Sequence, residues 1–332
     1  MPEGDAHAAV DPAVIGRAVR ILRAGGLVAI PTETVYGLAA DATNPAAVRH
    51  LYAVKGRPLG HPVIVHIASG EALPHWAAHI PDDARRLADA FWPGPLTLIL
   101  TRTPAVADEV TGGRGTVGLR VPDHPLTLAL LRAFDRGLAA PSANRFGRVS
   151  PTTAEDVRAD LGTDVDLVLD GGPCGIGVES TIVDCSETGV PVILRPGGVS
   201  TERIEATLGH PVRRVADGPS RAPGMLAAHY APYAEVVVID DIDAACGEAA
   251  TRIARGQRTG LLTPAAVAAV PGVTPMLAGT TPEAYAAVLY ERLREADRLN
   301  LDVLIVVPPP AEGVGVAVRD RLARAATGSA RG

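Results

Sequence analysis

Aromatic residues make up only 3% of this 332-residue chain, and cysteine occurs three times. Hydrophobic residues reach 47%, so a sizeable core is available, built chiefly from Ala, Val, Leu and Ile. Cys174, Cys185 and Cys246 lack metal-type spacing. An odd count without a disulfide framework predicts a reduced, cytoplasmic protein. No run of 18 or more apolar residues occurs, which argues against a helical membrane span. Glu3 and Asp5 stand where a secretory signal would place basic residues and an apolar stretch. Lysine is the sharpest scarcity: Lys and Arg total 31, and Lys55 is the sole lysine. Coding bias in a GC-rich genome accounts for the arginine excess, but the surviving lysine asks for its own reason. An ammonium is a compact point charge, whereas a guanidinium is a planar fork. A site that keeps Lys needs that compactness, for example against a phosphate. The net charge of −6 disfavours a broad basic grip on nucleic acid, although a local basic pocket is compatible with it.

The length predicts two domains. Asp11-Pro12 reads as an N-cap and first helical position, and Gly25-Gly26 as that helix's stop. Further helices are expected from Asn44-Pro45 to Lys55, over 82–91, 125–134 and 153–161, and from Ser200 to Leu208. Strands are expected over 27–30, 63–67, 96–101, 116–121, 138–140, 167–169, 181–184 and 192–194. Strands sometimes follow strands, so residues 1–209 read as an α/β domain with a mixed, twisted sheet. Proline and glycine punctuate residues 210–234, which read as a linker. Regular alternation resumes over 235–332, predicting a smaller Rossmann-like βαβ domain with a parallel sheet and a disordered tail from Gly328.

The unusual segments precede the linker. Pro31-Thr-Glu-Thr-Val-Tyr-Gly37 reads as a strand-to-helix turn whose hydroxyls either cap the helix or hold a ligand. Lys55-Gly-Arg-Pro58 puts two cations at a helix end, a pattern that complements the helix dipole or suits a polyphosphate. His66 ends an apolar strand, where a satisfied core histidine is the commoner fate. Alternation along 116–122 puts Thr116, Gly118 and Arg120 on one face. An Arg among apolar neighbours wants a carboxylate, supplied by the protein or by a ligand. Ala140-Pro-Ser-Ala-Asn144, Ser150, Gly177-Val-Glu-Ser-Thr181 and Arg195 add hydroxyls, an amide and a cation at further strand ends. In open α/β sheets ligands sit at such ends. No Walker loop, strand-to-helix Rossmann fingerprint, metal-binding His/Cys cluster or nucleophile elbow occurs.

Taken in order, PTETVYGL, KGRP with HPVIVH, FWPGPLTLIL, PSAN, and GVESTIVD with LRPG resemble the YrdC-like threonylcarbamoyl-AMP synthases over about residues 12–208. The stretch 222–232 resembles the linker of the family's long form. The resemblance implies a YrdC-like catalytic domain and a nucleotidyltransferase that joins L-threonine, bicarbonate or CO2, and ATP into threonylcarbamoyl-AMP and pyrophosphate. It implies that Lys55, Arg57, Ser142 and Asn144 form the catalytic group, with His61, Thr116, Ser150, Arg195 and Tyr230 also near ATP. Thr34, His66, Arg120, Ala140 and Ser180 would surround L-threonine, with Arg120 taking its carboxylate. Magnesium would come with ATP, and no protein cage for it is visible in the sequence. A transferase acting on tRNA adenosine beside the anticodon would receive the product, with weak direct tRNA contact and no membrane association. The linker would act as a lid. The rivals are an RNA-binding module, a carbamoyl transferase of hydrogenase maturation, whose acylphosphatase and zinc-finger parts are missing from this chain, and a purely structural α/β protein.

Overall fold

The computed structural model describes residues 10–187, 189–215 and 230–330. Four helices open on proline, where the missing N–H would have had no partner anyway. They are α1 (Pro12–Arg23), α2 (Pro45–Lys55), α6 (Pro125–Phe134) and α10 (Pro282–Arg298). Asp11 and Asn44 cap the first two by accepting from Ala13 and Ala46 main-chain N–H groups at 2.8 and 3.0 Å. Between them run β1 (Val28–Ile30) and β2 (Gly37–Asp41). The chain then passes through β3 (Ile64–His66), α3 (Leu73–Trp76), α4 (Asp82–Phe91), β4 (Leu96–Thr101), α5 (Asp108–Thr111) and β5 (Thr116–Arg120). After α6 come β6 (Leu138–Ala139), α7 (Ala154–Leu161), β7 (Leu167–Val168), β8 (Thr181–Asp184), β9 (Val192–Arg195), α8 (Thr201–Leu208) and β10 (Arg213–Arg214).

These strands form one ten-stranded sheet, ordered β10-β9-β8-β4-β5-β3-β6-β2-β1-β7. Parallel and antiparallel neighbours alternate irregularly: β3 and β5 are parallel, while β4 and β5 are antiparallel. The mixed sheet expected from the sequence is therefore present. β10 joins it from within the 210–234 stretch. The second unit comprises β11 (Glu235–Val238), α9 (Ile242–Ala254), β12 (Thr259–Thr263), β13 (Thr274–Leu277), α10, β14 (Val303–Val306) and α11 (Gly315–Ser329). Its four strands are all parallel, in the order β11-β14-β12-β13.

Three expectations need correction. The segment after Pro31 leads into β2, antiparallel to β1, and not into a helix. Leu38, Ala39 and Ala40 carry helix-compatible side chains, but pairing with β1 and β6 and complete burial decide for a strand. β13 went unread because Pro275 interrupts a short run, a position tolerated here on an edge strand. Helix α11 continues through Gly328 to Ser329, whose hydroxyl accepts from Val236 N–H at 3.0 Å, so the tail before residue 331 is ordered. The proposed lid falls mainly on residues 216–229, which lie outside the described residues.

The two units share a core. Val35, Val149, Val178 and Tyr230 pack in one buried cluster with Tyr285, Leu289, Tyr290 and Leu293 of α10. Gly177 has φ +76°, and a Cβ there would lie 2.2 Å from the Ala286 carbonyl oxygen, so glycine alone permits this approach.

Candidate active site

The ten-stranded sheet opens a cavity of about 50 Å³. Parallel pairing sets His66 opposite Arg120 on adjacent strands β3 and β5. Both line the cavity and both are almost completely buried. Arg120 donates from Nη2 to Glu33 Oε1 at 2.7 Å and to Thr34 Oγ1 at 2.8 Å. The carboxylate that the strand arginine required is thus Glu33, in the loop between β1 and β2. Thr34 Oγ1 also lies 2.8 Å from Thr32 Oγ1. His66 Nδ1 is buried and has no hydrogen-bond partner among the described residues. Leaving such an atom unpaired costs about 1–3 kcal/mol. Burial, and then the adjacent Arg120 charge, hold the His66 ring well below the usual histidine range, so it is neutral at pH 7.

Lys55 ends α2 and reaches across to the turn after β6. Its Nζ donates to the Ser142 and Asn144 carbonyls, each at 2.5 Å, and lies 3.4 Å from Asn144 Oδ1. A compact ammonium can reach all three oxygens, whereas a planar guanidinium is shaped for fork-like recognition. The single lysine is therefore explained first by these carbonyls. Burial, followed by Arg57, lowers its pKa well below the ordinary lysine value. Arg57 donates to the Pro62 carbonyl at 2.9 Å and lies 5.7 Å from the centre of the Phe146 ring. Ser142, Asn144 and Phe146 line the same cavity, as does Ala140.

Arg195, at the end of β9, donates Nη2 to the Ser180 carbonyl at 2.8 Å and to Ser180 Oγ at 3.2 Å. Ser180 Oγ also meets Thr97 Oγ1 at 2.8 Å. Tyr230 is buried, with φ +62°, and stacks on Tyr290 at 5.7 Å between ring centres. Lys55, Arg57, His66, Arg120, Ala140, Ser142, Asn144, Ser180, Arg195 and Tyr230 all line one cavity.

Four expected site residues do not line it. Thr34 lies just behind, supporting Arg120. His61 sits edge-on to Phe146 at 5.8 Å and is half-buried. Thr116 opens β5 opposite Thr101, four residues from Arg120 and hence about 13 Å along the strand. Ser150 commits its hydroxyl to Glu179 Oε1 at 2.8 Å. In the other direction, sequence reasoning missed Glu33, Glu179, Tyr290 and Arg321. The two acids stood inside the quoted PTETVYG and GVEST segments, each the sole charged residue of its segment. No local signal marks Tyr290 or Arg321, because their partner lies in the other unit.

Glu179 is the one carboxylate lining the cavity among the described residues. Burial alone would raise its pKa, but Arg321, then Arg195, outweigh that and hold it down to about 2. Its oxygens are taken by protein donors, and no cluster of three His, Cys, Asp or Glu occurs among the described residues. Burial raises the Cys174 and Cys185 thiols to about 12, which disfavours thiolate nucleophiles. The arrangement suits charge neutralisation and positioning instead of covalent catalysis. None of the described helices is long and apolar enough to cross a membrane.

The Sua5_yciO_yrdC family model, described as telomere recombination, matches residues 20–197. The model for the threonylcarbamoyl-AMP synthase C-terminal domain matches residues 199–327. Threonylcarbamoyl-AMP synthase of Bacillus subtilis is 42% identical, covering 95% of this chain and 93% of that one. The Pyrococcus abyssi enzyme of the same name is 41% identical, covering 93% and 92%. Among solved structures, P. abyssi Sua5 complexed with L-threonine has a TM-score of 0.89 at 40% identity, covering 95% of this chain and 94% of that one. A doubly alanine-substituted variant of P. abyssi Sua5 has a TM-score of 0.91 at 37% identity, covering 98% and 96%. On these matches, the chain belongs to the threonylcarbamoyl-AMP synthase family in its two-domain form and is an enzyme of the nucleotidyltransferase type.

Proposed function

We propose that this enzyme condenses L-threonine, bicarbonate or CO2, and ATP into threonylcarbamoyl-AMP, releasing pyrophosphate. One observation carries the reading: a buried arginine and a buried histidine share a cavity with Lys55, Arg57 and Arg195. That combination suits an amino-acid carboxylate and a polyphosphate side by side. The relative crystallised with L-threonine supports the first ligand. In this scheme the threonine carboxylate exchanges with Glu33 on Arg120. His66 Nδ1 gains a polar partner from the same ligand. The threonine amine adds to CO2 with loss of a proton, or to bicarbonate with loss of water, and the resulting N-carboxylate attacks the α-phosphorus. Pyrophosphate leaves as Arg57, Arg195 and the Lys55-braced turn neutralise the developing charge. Magnesium enters with ATP as part of the substrate. The product then serves a tRNA-modifying transferase, in a cytoplasmic setting with weak direct tRNA contact.

The test is mass-spectrometric detection of the adenylate, with pyrophosphate release measured in parallel and serine offered in place of threonine. Lys55→Ala is expected to abolish release. Wild-type rates in that variant would remove Lys55 from the mechanism, and no adenylate from the wild-type chain would defeat the reading.

A further inference from the structure

A cavity built for a polyphosphate has a carboxylate in its wall, and that acid is answered from the other domain. Arg321 on α11 is fully buried and donates Nε to Glu179 Oε2 at 2.7 Å across 142 residues of sequence. Its Nη2 donates to the Pro196 carbonyl at 3.0 Å, and its Nη1 meets Asp320 at 2.5 Å. Tyr290 on α10 points its hydroxyl at both Glu179 oxygens, at 3.0 and 2.9 Å. Ser150 donates to Oε1 at 2.8 Å.

The surrounding backbone transmits this anchoring. The Glu179 carbonyl accepts from Gly198 N–H at 3.1 Å, and the next carbonyl, of Ser180, receives Arg195. Packing leaves no slack there, since a Cβ on Gly197 would lie 2.3 Å from the Glu179 carbonyl oxygen. Arg321 also lies 5.3 Å from the centre of the Tyr230 ring, another cavity wall.

We infer that Arg321 and Tyr290 make the second domain part of the active site: Arg321 is a positioning residue that cancels the Glu179 charge and seats the segment holding Arg195, so that the cavity accepts the ATP triphosphate. This deepens the proposed function and rests on it. An unneutralised Glu179 would repel phosphate inside a low-dielectric cavity. Arg321 touches none of the reacting atoms and acts only through Glu179 and its backbone.

The test compares full-length Arg321→Met, Arg321→Lys, Glu179→Gln and the double variant Arg321→Met/Glu179→Gln. Calorimetry with a non-hydrolysable ATP analogue reads affinity independently of turnover, and steady-state KM values are taken for ATP and threonine. Arg321→Met is expected to weaken analogue binding by about a hundredfold while shifting threonine KM by less than about threefold. The double variant should return to within about tenfold of wild type, because the offending charge is gone. Arg321→Lys keeps the charge but loses the guanidinium's three-way contacts, so its binding should fall between wild type and Arg321→Met. A merely structural role predicts the opposite: the double variant binds no better than Arg321→Met, and both KM values move together. Either result overturns the inference. Should Arg321→Met fail to fold, Glu179→Gln alone decides, with retained or tighter analogue binding expected and loosening beyond about tenfold overturning it. If the wild type forms adenylate yet Arg321→Met binds the analogue normally, only this inference falls. A wild type that forms no adenylate defeats the functional reading instead.

Discussion

Two buried ion pairs flank the same cavity and are built differently. Arg120 and Glu33 both belong to the first domain, with side chains 5% and 13% exposed. Arg321 and Glu179 belong to different domains, at 0% and 8%. Glu33 gives its oxygens to Arg120 and to the Asp123 main-chain N–H at 3.0 Å. Glu179 is held by an arginine, a tyrosine and a serine at once. The first arrangement can trade its acid for a ligand carboxylate. The second cannot open without stranding a buried charge, so it serves as a fixed joint between the domains.

The comparison breaks most visibly at the joint. Arg321→Met should cost about 4 kcal/mol in denaturant unfolding, because it leaves a buried carboxylate without its cation. A loss below about 1 kcal/mol would mean that the joint is not fixed. On the exchangeable side, Arg120→Gln should lower kcat/KM for threonine by a few hundredfold, roughly 3.5 kcal/mol, while binding of an ATP analogue changes little. Equal loss toward both substrates would show that Arg120 is a structural strut.

Acid titration separates the joint by pH. The Glu179 pKa is depressed to about 2. Its contribution, about 3 kcal/mol, is present above the unfolded value near pH 4.3 and disappears as pH falls toward 2. Unfolding free energy measured between pH 5 and 2 should fall along that limb in the wild type, and Glu179→Gln should flatten it. Smallest of all, Tyr290→Phe removes one hydroxyl and keeps both charges, so about 1 kcal/mol is expected by thermal or denaturant melting. A much larger loss would move the weight of the joint from charge to hydrogen bonding.

Much of the architecture was legible because its signals are local. Pro12, Pro45, Pro125 and Pro282 each open a helix, Asp11, Asn44, Thr153 and Ser200 each cap one, and the apolar strands end close to where their composition changes. The Lys-x-Arg and Ser-x-Asn segments were expected together, and Lys55 Nζ does bond to Ser142 and Asn144. β2 was misread because its alanines carry no strand signal, and pairing on both sides supplied it. His61, Thr116 and Ser150 were expected near the nucleotide, yet none lines the cavity. Being close in sequence to a strand end says nothing about which face a side chain takes or what claims its hydroxyl first. Aromatic scarcity hid a further regularity. Of six tyrosines, Tyr36, Tyr52, Tyr230, Tyr285 and Tyr290 are buried. Tyr230 and Tyr290 stack where the two domains meet.

The sequence by itself determined most of the element types and the two α/β units, because caps, prolines and apolar period act within a few residues. Only the tertiary structure decided which acid answers which arginine. Those pairings span 87 residues for Arg120 and 142 for Arg321. A buried charge takes whichever partner the packed core brings within about 3 Å, and that choice is made by how the sheet and helices close around it.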